Sequence, residues 1–250
     1  MLVKSQAKYI QSLSQKKFRD EENAFVAEGP KIINELLGAS NVELLLLYAM
    51  RNWINENEAL IASVPADKIM EIKENDLERI SFLQTPNQVL GIFKKPSFGK
   101  PSFEAKISLL LDGIQDPGNI GTIMRTADWF GIENIICSKE SADVFNPKTV
   151  QSTMASISRV QVIYEDLITV ISAHSGIPVY ATALEGKNLF EMNGLSEGFI
   201  LIGNESKGIS KSLLDLAPHR ITIPKRGEAE SLNVAVAAGI VLAHLRAVHS

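Results

Sequence analysis

Five short apolar runs, at 108–112, 134–138, 179–183, 199–203 and 219–223, alternate with helical patterns through the second half of this chain. They lack the polar alternation of a half-solvated sheet. Strands of this kind are buried on both faces, which points to a mainly parallel sheet covered by helices. The fold class is therefore α/β. In an open sheet of this class ligands bind beyond the carboxyl ends of the strands, so the loops that follow the strands are where function is sought.

The first half reads as a smaller α/β domain. A helix is expected over 5–17, with Tyr9, Ile10 and Leu13 on one face. Phe25-Val26-Ala27-Glu28-Gly29 reads as a strand ending at a glycine, and Pro30 suits the first turn of a helix over 30–38. Strands follow at 42–48 and 88–94, with a short helix at 76–81. The segment KPSFGKPSFEA has two prolines and no periodicity, and reads as a linker. The expected organisation is a small domain over 1–95, a linker over 96–105 and a second domain over 106–250. The last helix, 233–248, is apolar over most of its circumference, and its small residues suit close packing on the sheet or on a second subunit.

Composition narrows the class of protein. A single cysteine, Cys137, leaves no internal disulfide to form, and fits a reducing compartment. The basic N-terminus carries no apolar signal core and no long uncharged apolar run occurs, so neither a secretion signal nor a membrane span is expected. The expected location is the cytoplasm. A net charge of −4 argues against a protein that coats nucleic acid everywhere. Two local clusters, Lys4, Lys8, Lys16, Lys17 and Arg19, and Lys94, Lys95, Lys100 and Lys106, suit either phosphate attraction or plain solvation, and taken alone solvation is the better reading. His174, His219, His244 and His249 show no metal-ligand spacing with Cys137. They read as structural or surface residues, and Cys137 as a buried strand residue rather than a nucleophile.

Three post-strand loops are unusual. The first runs Asp112-Gly113-Ile114-Gln115-Asp116-Pro117-Gly118-Asn119-Ile120-Gly121, with Arg125 in the helix that follows. Asn119 is placed to cap that helix, and an ordinary turn with a surface arginine is the competing reading. The second is Gly203-Asn204-Glu205-Ser206-Lys207-Gly208, a carboxylate between two glycines directly after an apolar strand. It lacks the Gly-Lys-Ser/Thr ending of a phosphate loop. The third runs from Ile223-Pro224 to Ser231-Leu232-Asn233-Val234, with Ser231 and Asn233 at the mouth of the last helix, where they can cap it.

Taken together and in order, the loops resemble the three motifs of the SpoU-type (TrmH) RNA ribose 2′-O-methyltransferases. Asn119, Gly121 and Arg125 match the first; Gly203, Glu205 and Gly208 the second; Ile223, Pro224, Ser231, Leu232, Asn233 and Val234 the third. The resemblance covers 108–248 strongly, and 8–92 more weakly through 25–29 and 84–92. Two departures stand out. Lys225 and Arg226 follow Ile-Pro where an apolar Met is common, and Met154-Ala155 occupies a stretch where a glycine is usual.

The resemblance implies a trefoil-knotted methyltransferase domain preceded by a small substrate-binding domain. It implies S-adenosylmethionine as methyl donor, no metal, RNA as partner, and a homodimer through the C-terminal helix and the first-motif region. By motif, Thr182, Gly203, Ile223, Leu232 and Asn233 are the cofactor-binding candidates. Arg125, Asn119, Glu205, Ser231 and Asn233 are the catalytic ones. A guanidinium almost never loses its proton, so Arg125 is expected to grip a phosphate and stabilise developing alkoxide charge. Two other readings stay open: an RNA-binding module of the same fold without catalysis, and a methyltransferase with a non-RNA acceptor. Whether the RNA is ribosomal or transfer RNA is not expressed in these residues.

Overall fold

The computed structural model describes residues 2–247, which divide into two compact units. The first comprises the chain up to Phe98 together with Asp143–Ser158, and the second Gly99–Ala142 together with the chain from Arg159 onward.

The first unit opens with two helices, α1 (Lys4–Ser12) and α2 (Lys16–Glu21), where the sequence predicts one over 5–17. The break has a local cause. Arg19, only 2% exposed, turns its guanidinium back onto the carbonyls of Leu13 and Ser14, at 2.8 and 2.7 Å. Those carbonyls therefore do not carry a helix onward. Strand β1 (Ala24–Glu28) leads through Gly29, at φ +87°, into α3 (Pro30–Leu37). A positive φ there favours glycine. There follow β2 (Leu44–Ala49), α4 (Arg51–Glu56), α5 (Glu58–Ile61), β3 (Ile69–Glu71), α6 (Glu74–Ile80) and β4 (Val89–Lys94). The sheet order is β1-β4-β2-β3, antiparallel except between β2 and β3. Ile10, Leu13, Val26, Tyr48, Leu90 and Ile92 are buried together against it.

The second unit begins with β5 (Ile107–Asp112), α7 (Pro117–Trp129) and β6 (Asn134–Cys137). The chain then gives one helix, α8 (Pro147–Thr153), to the first unit, where it packs on β1. It resumes with β7 (Gln161–Tyr164), α9 (Leu167–Ala173), β8 (Val179–Asn188), β9 (Gly198–Gly203), α10 (Lys211–Leu216), β10 (His219–Thr222) and α11 (Val234–Ala247). Val248, assigned to the last helix from sequence, and His249 lie outside the described residues.

The six strands pair in the order β10-β8-β9-β5-β6-β7, parallel throughout. Every residue of β6 is buried, as are the first five residues of β5 and β9, while the edge strands are half exposed. That is the gradient expected when helices cover both faces of a parallel sheet. The Pro-Ser-Phe segment has neither helix nor strand, but its second half is anchored in this unit. Phe103 is buried edge-on against His174 and Phe199, and the Ser102 carbonyl accepts from Asn134.

Met154 and Ala155, where a glycine was expected, both hold left-handed backbone, at φ +48° and +69°. The conformation that favours glycine is present without one. The basic clusters are largely committed. Arg19 is ion-paired with Asp143, Lys17 with Glu21, Lys94 with Glu43, Lys95 with Asp20 and Lys106 with Glu133. No helix among the described residues is long and apolar enough to cross a membrane.

Candidate functional site

Register brings the first two loops together. β5 and β9 are adjacent and parallel, and Asp112 pairs with Gly203, so both strands end at the same level. The chain leaves β5 towards β6 and β7, whereas β8 and β10 lie on the far side of β9. The crevice between β5 and β9 is thus the switch point of the sheet, the place where open α/β sheets bind ligands.

Three hydrogen bonds join the loops across that crevice. Asp112 Oδ2 accepts from Ser210 N at 2.8 Å, the Gly113 carbonyl accepts from Asn204 Nδ2 at 2.7 Å, and Glu205 Oε1 accepts from Asn119 Nδ2 at 2.7 Å. Asn204 also shapes its own loop. Its Oδ1 accepts from Ser206 N and Lys207 N, and its backbone exchanges both bonds with Gly208. Glu205 is thereby held out of the loop towards α7. Gly113 and Gly208 sit at φ +68° and +67°.

Helix α7 is capped by Asp116, whose carboxylate accepts from Asn119 N at 2.9 Å. Asn119 does not cap the helix, as its sequence position suggested. It lies in the first turn with its side chain free to bridge. Its Oδ1 accepts from Asn233 Nδ2 at 2.9 Å. Asn233 does cap α11, accepting from Ala235 N and Val236 N. A continuous chain Asn233–Asn119–Glu205 therefore ties the third loop to the first and second.

Arg125 is exposed on α7, and its side chain makes no hydrogen bond or ion pair among the described residues. Six residues beyond Asn119, it stands about 9 Å further along the helix axis. Ser231 and Leu232 are exposed in the irregular segment before Asn233, and Ser231 has no side-chain bond among the described residues. Ile223 follows directly on β10 and is half-buried. Thr182 donates to the Leu201 carbonyl at 3.0 Å.

From Thr182 onward β8 leaves the ladder. Its pairing with β10 jumps from Ala181 to Lys187, and its pairing with β9 ends at Ala181, so residues 182–186 pair with neither neighbour. In that stretch Leu184 is exposed and its carbonyl accepts from Thr222 Oγ1 at 3.0 Å, and Leu232 in the third loop is half-exposed. Backbone without ladder partners, with exposed apolar side chains in the same loops, suits an adenine ring, whose edge needs both a donor and an acceptor. The residues present therefore fit S-adenosylmethionine.

Gly203 has a reason of its own. A Cβ there would lie 2.4 Å from the backbone of Gly208 and Ile209. A branched substitution would distort the loop itself, whatever ligand it faces. The residues that sequence reading did not single out are Asp112, Asp116 and Asn204. An aspartate closing an apolar strand, and an Asn positioned for a side-chain turn, were the available signals.

Cys137 is fully buried in β6, and burial pushes its thiol up to about 12, which removes it as a nucleophile. His174 packs edge-on against Phe103 and Phe199, His219 stacks on Tyr180, and His244 Nε2 lies 2.9 Å from the Met192 carbonyl. No cluster of three or more metal-ligating side chains occurs among the described residues.

Residues 106–243 match the SpoU rRNA Methylase family, and residues 4–91 match the MRM3-like substrate binding domain. The 23S rRNA (guanosine(2553)-2′-O)-methyltransferase RlmP of Bacillus subtilis is 33% identical over 94% of this chain and 93% of its own. A putative RNA methyltransferase of the TrmH family from Porphyromonas gingivalis superposes with TM-score 0.85 at 38% identity, covering 99% of each chain. An AdoMet-bound rRNA methyltransferase from Sinorhizobium meliloti superposes with TM-score 0.86 at 30% identity, over 100% of this chain and 97% of the other. A family match across more than half of the chain, and relatives aligned along nearly all of it, settle the lineage: the chain belongs to the SpoU rRNA methylase family.

Proposed function

We propose that this protein transfers the methyl group of S-adenosylmethionine to a ribose 2′-hydroxyl of RNA. The observation that carries the reading is the Asn233–Asn119–Glu205 chain at the switch point, with unpaired Arg125 on the same helix as Asn119. The cofactor supplies an electrophilic methyl on a sulfonium. The protein must align the acceptor oxygen and favour its anionic form. Thr182, Gly203, Ile223, Leu232 and Asn233 would hold the cofactor, chiefly through backbone at 182–186 and 223–232. Asn119, Glu205 and Asn233 would fix the loops around it, with Ser231 facing the ribose. Arg125 would grip the phosphate beside the target and stabilise the developing alkoxide. The relative from B. subtilis is named for 23S rRNA, which favours ribosomal over transfer RNA.

Two finer readings belong here. Trp129 on α7 is 85% exposed, and Leu232 and Val236 beside and on α11 are about half exposed, although α7 and α11 pack together. An apolar face of this kind supports a twofold homodimer. Light scattering that gave a monomer at micromolar concentration would reject it. The same fold reading supports a trefoil knot formed by the C-terminal segment. Residues 192–195 hold the end of α11 through His244–Met192 and through Leu195 N to the Leu245 carbonyl. The single buried cysteine and the bacterial origin of the 33% identical relative support a cytoplasmic location.

The test is single-turnover transfer from labelled S-adenosylmethionine to ribosomal RNA, with a 2′-deoxy oligomer at the mapped position as control. Label on both substrates, or on neither while the cofactor binds, would overturn the reading.

A further inference from the structure

We propose that an open cleft at the β10 edge binds one nucleotide of single-stranded RNA, separately from the methyl-transfer site. The inference rests on the reading that the substrate is RNA. The cleft, about 420 Å³, is lined by Tyr180, Lys187, His219 and Arg220 together with the 192–195 segment. His219 and Tyr180 stand at the amino ends of β10 and β8, whereas the candidate site stands at the carboxyl ends of β5 and β9.

The cleft has the three parts that a nucleotide needs. The first is a stacking platform. The Tyr180 and His219 rings lie 4.9 Å apart at 23°, and His219 is exposed, so a base can extend the stack. The platform is built in, because Gly198 makes room for it. A Cβ on Gly198 would stand 2.9 Å from the Tyr180 ring.

The second part is uncommitted positive charge. Lys187 and Arg220 are exposed and form no ion pair among the described residues. No lining residue is acidic. This contrasts with Lys17, Lys94, Lys95 and Lys106, each tied to a carboxylate. The third is size. A cleft of this volume takes a single nucleotide, while the edge strand leaves the chain free to enter and leave. Aromatic stacking with nearby cations is how proteins hold unpaired bases without reading a helix.

A duplex offers no free base face, so the cleft would take an unpaired nucleotide of the same RNA, away from the methylated one. It would raise affinity without touching the reacting atoms.

The experiment uses the full chain and a short fluorescein-labelled oligouridylate, followed by anisotropy across a potassium chloride series. His219→Ala is expected to weaken binding about tenfold, the scale of one lost base–aromatic stack. Arg220→Gln is expected to lower the log–log salt slope by about 0.7, the value of one phosphate contact on a single strand. Both side chains are exposed, so melting temperature and S-adenosylmethionine affinity by calorimetry should stay at wild-type values. Wild-type affinity and slope in both variants would overturn the proposal. Uridine monophosphate competing as strongly as the oligomer would assign the cleft to a free nucleotide, and also overturn it. Methylation of ribosomal RNA without any oligouridylate binding would remove the cleft and leave the parent reading intact. A wild-type chain that neither binds nor methylates RNA would overturn the parent reading instead.

Discussion

Asn119 and Glu205 stand 86 residues apart in sequence and meet through a 2.7 Å hydrogen bond across the β5–β9 crevice. Because Asn119 also accepts from Asn233, removing its side chain severs both links at once. Asn119→Ala is expected to fold and to lose less than about 1 kcal/mol, since both bonds are solvent-accessible. Methyl transfer should fall by about tenfold or more, because loop misplacement costs positioning. Leucine at 119 should behave like alanine and glutamine should recover part of the rate. Single-turnover rates beside thermal melts decide it, and an unchanged rate would remove Asn119 from the machinery.

Arg125 makes no bond that the fold needs. Arg125→Ala should therefore keep stability and cofactor affinity while slowing transfer by at least ~100-fold, as expected when a group that stabilises transition-state charge is removed. Arg125→Lys should recover little, because an ammonium cannot offer a bidentate fork to a phosphate. A near wild-type rate in Arg125→Ala would show that the alkoxide is stabilised elsewhere.

Ala105 is exposed and sits at φ +56°. Left-handed backbone costs a non-glycine residue about 1–2 kcal/mol. Glycine gives back about 0.4–1 kcal/mol through the unfolded chain. Ala105→Gly is therefore expected to stabilise the protein by about 0.5–1 kcal/mol. Urea unfolding that showed a loss instead would mean that the strain is absent.

Glu28 is 4% exposed, and burial raises its carboxyl above the usual range, although Ser81 Oγ and Phe82 N donate to it. A raised value in the folded state means that its contribution is fully present below the unfolded carboxylate range. The contribution is lost as pH rises through the folded value. Wild type should thus lose stability relative to Glu28→Gln as pH rises from below the usual carboxylate range towards neutral. Denaturant titrations at both ends measure the difference, and parallel pH profiles would contradict it.

The central strands were readable because Leu, Ile and Val recur without polar interruption, and the boundaries at Asp112 and Gly203 follow directly. β7 was not, since Gln161–Tyr164 is a four-residue edge strand, half exposed at every position. Helix α8 carries readable signals in Asn146 as cap and Pro147 in the first turn, but its packing on β1 is a long-range fact. The motif residues Asn119, Glu205 and Asn233 stood out in sequence, while their mutual bonds depend on strand register. Asp112 and Asn204 escaped because their work is done by single side-chain atoms on distant backbone.

The Arg19–Asp143 pair spans 124 residues and closes a unit whose four strands are all complete by Lys94. A nascent chain emerging from the ribosome therefore cannot finish its first unit when the first hundred residues are out. Arg19 waits, desolvated or hydrated, until Asp143 and α8 follow, by which time β5, α7 and β6 have already been made. Domains made in strict order fold one after another. Here the early unit depends on late sequence, so a gene cut at the Pro-Ser-Phe segment would yield one piece missing its closing helix and another carrying that helix without its site on β1.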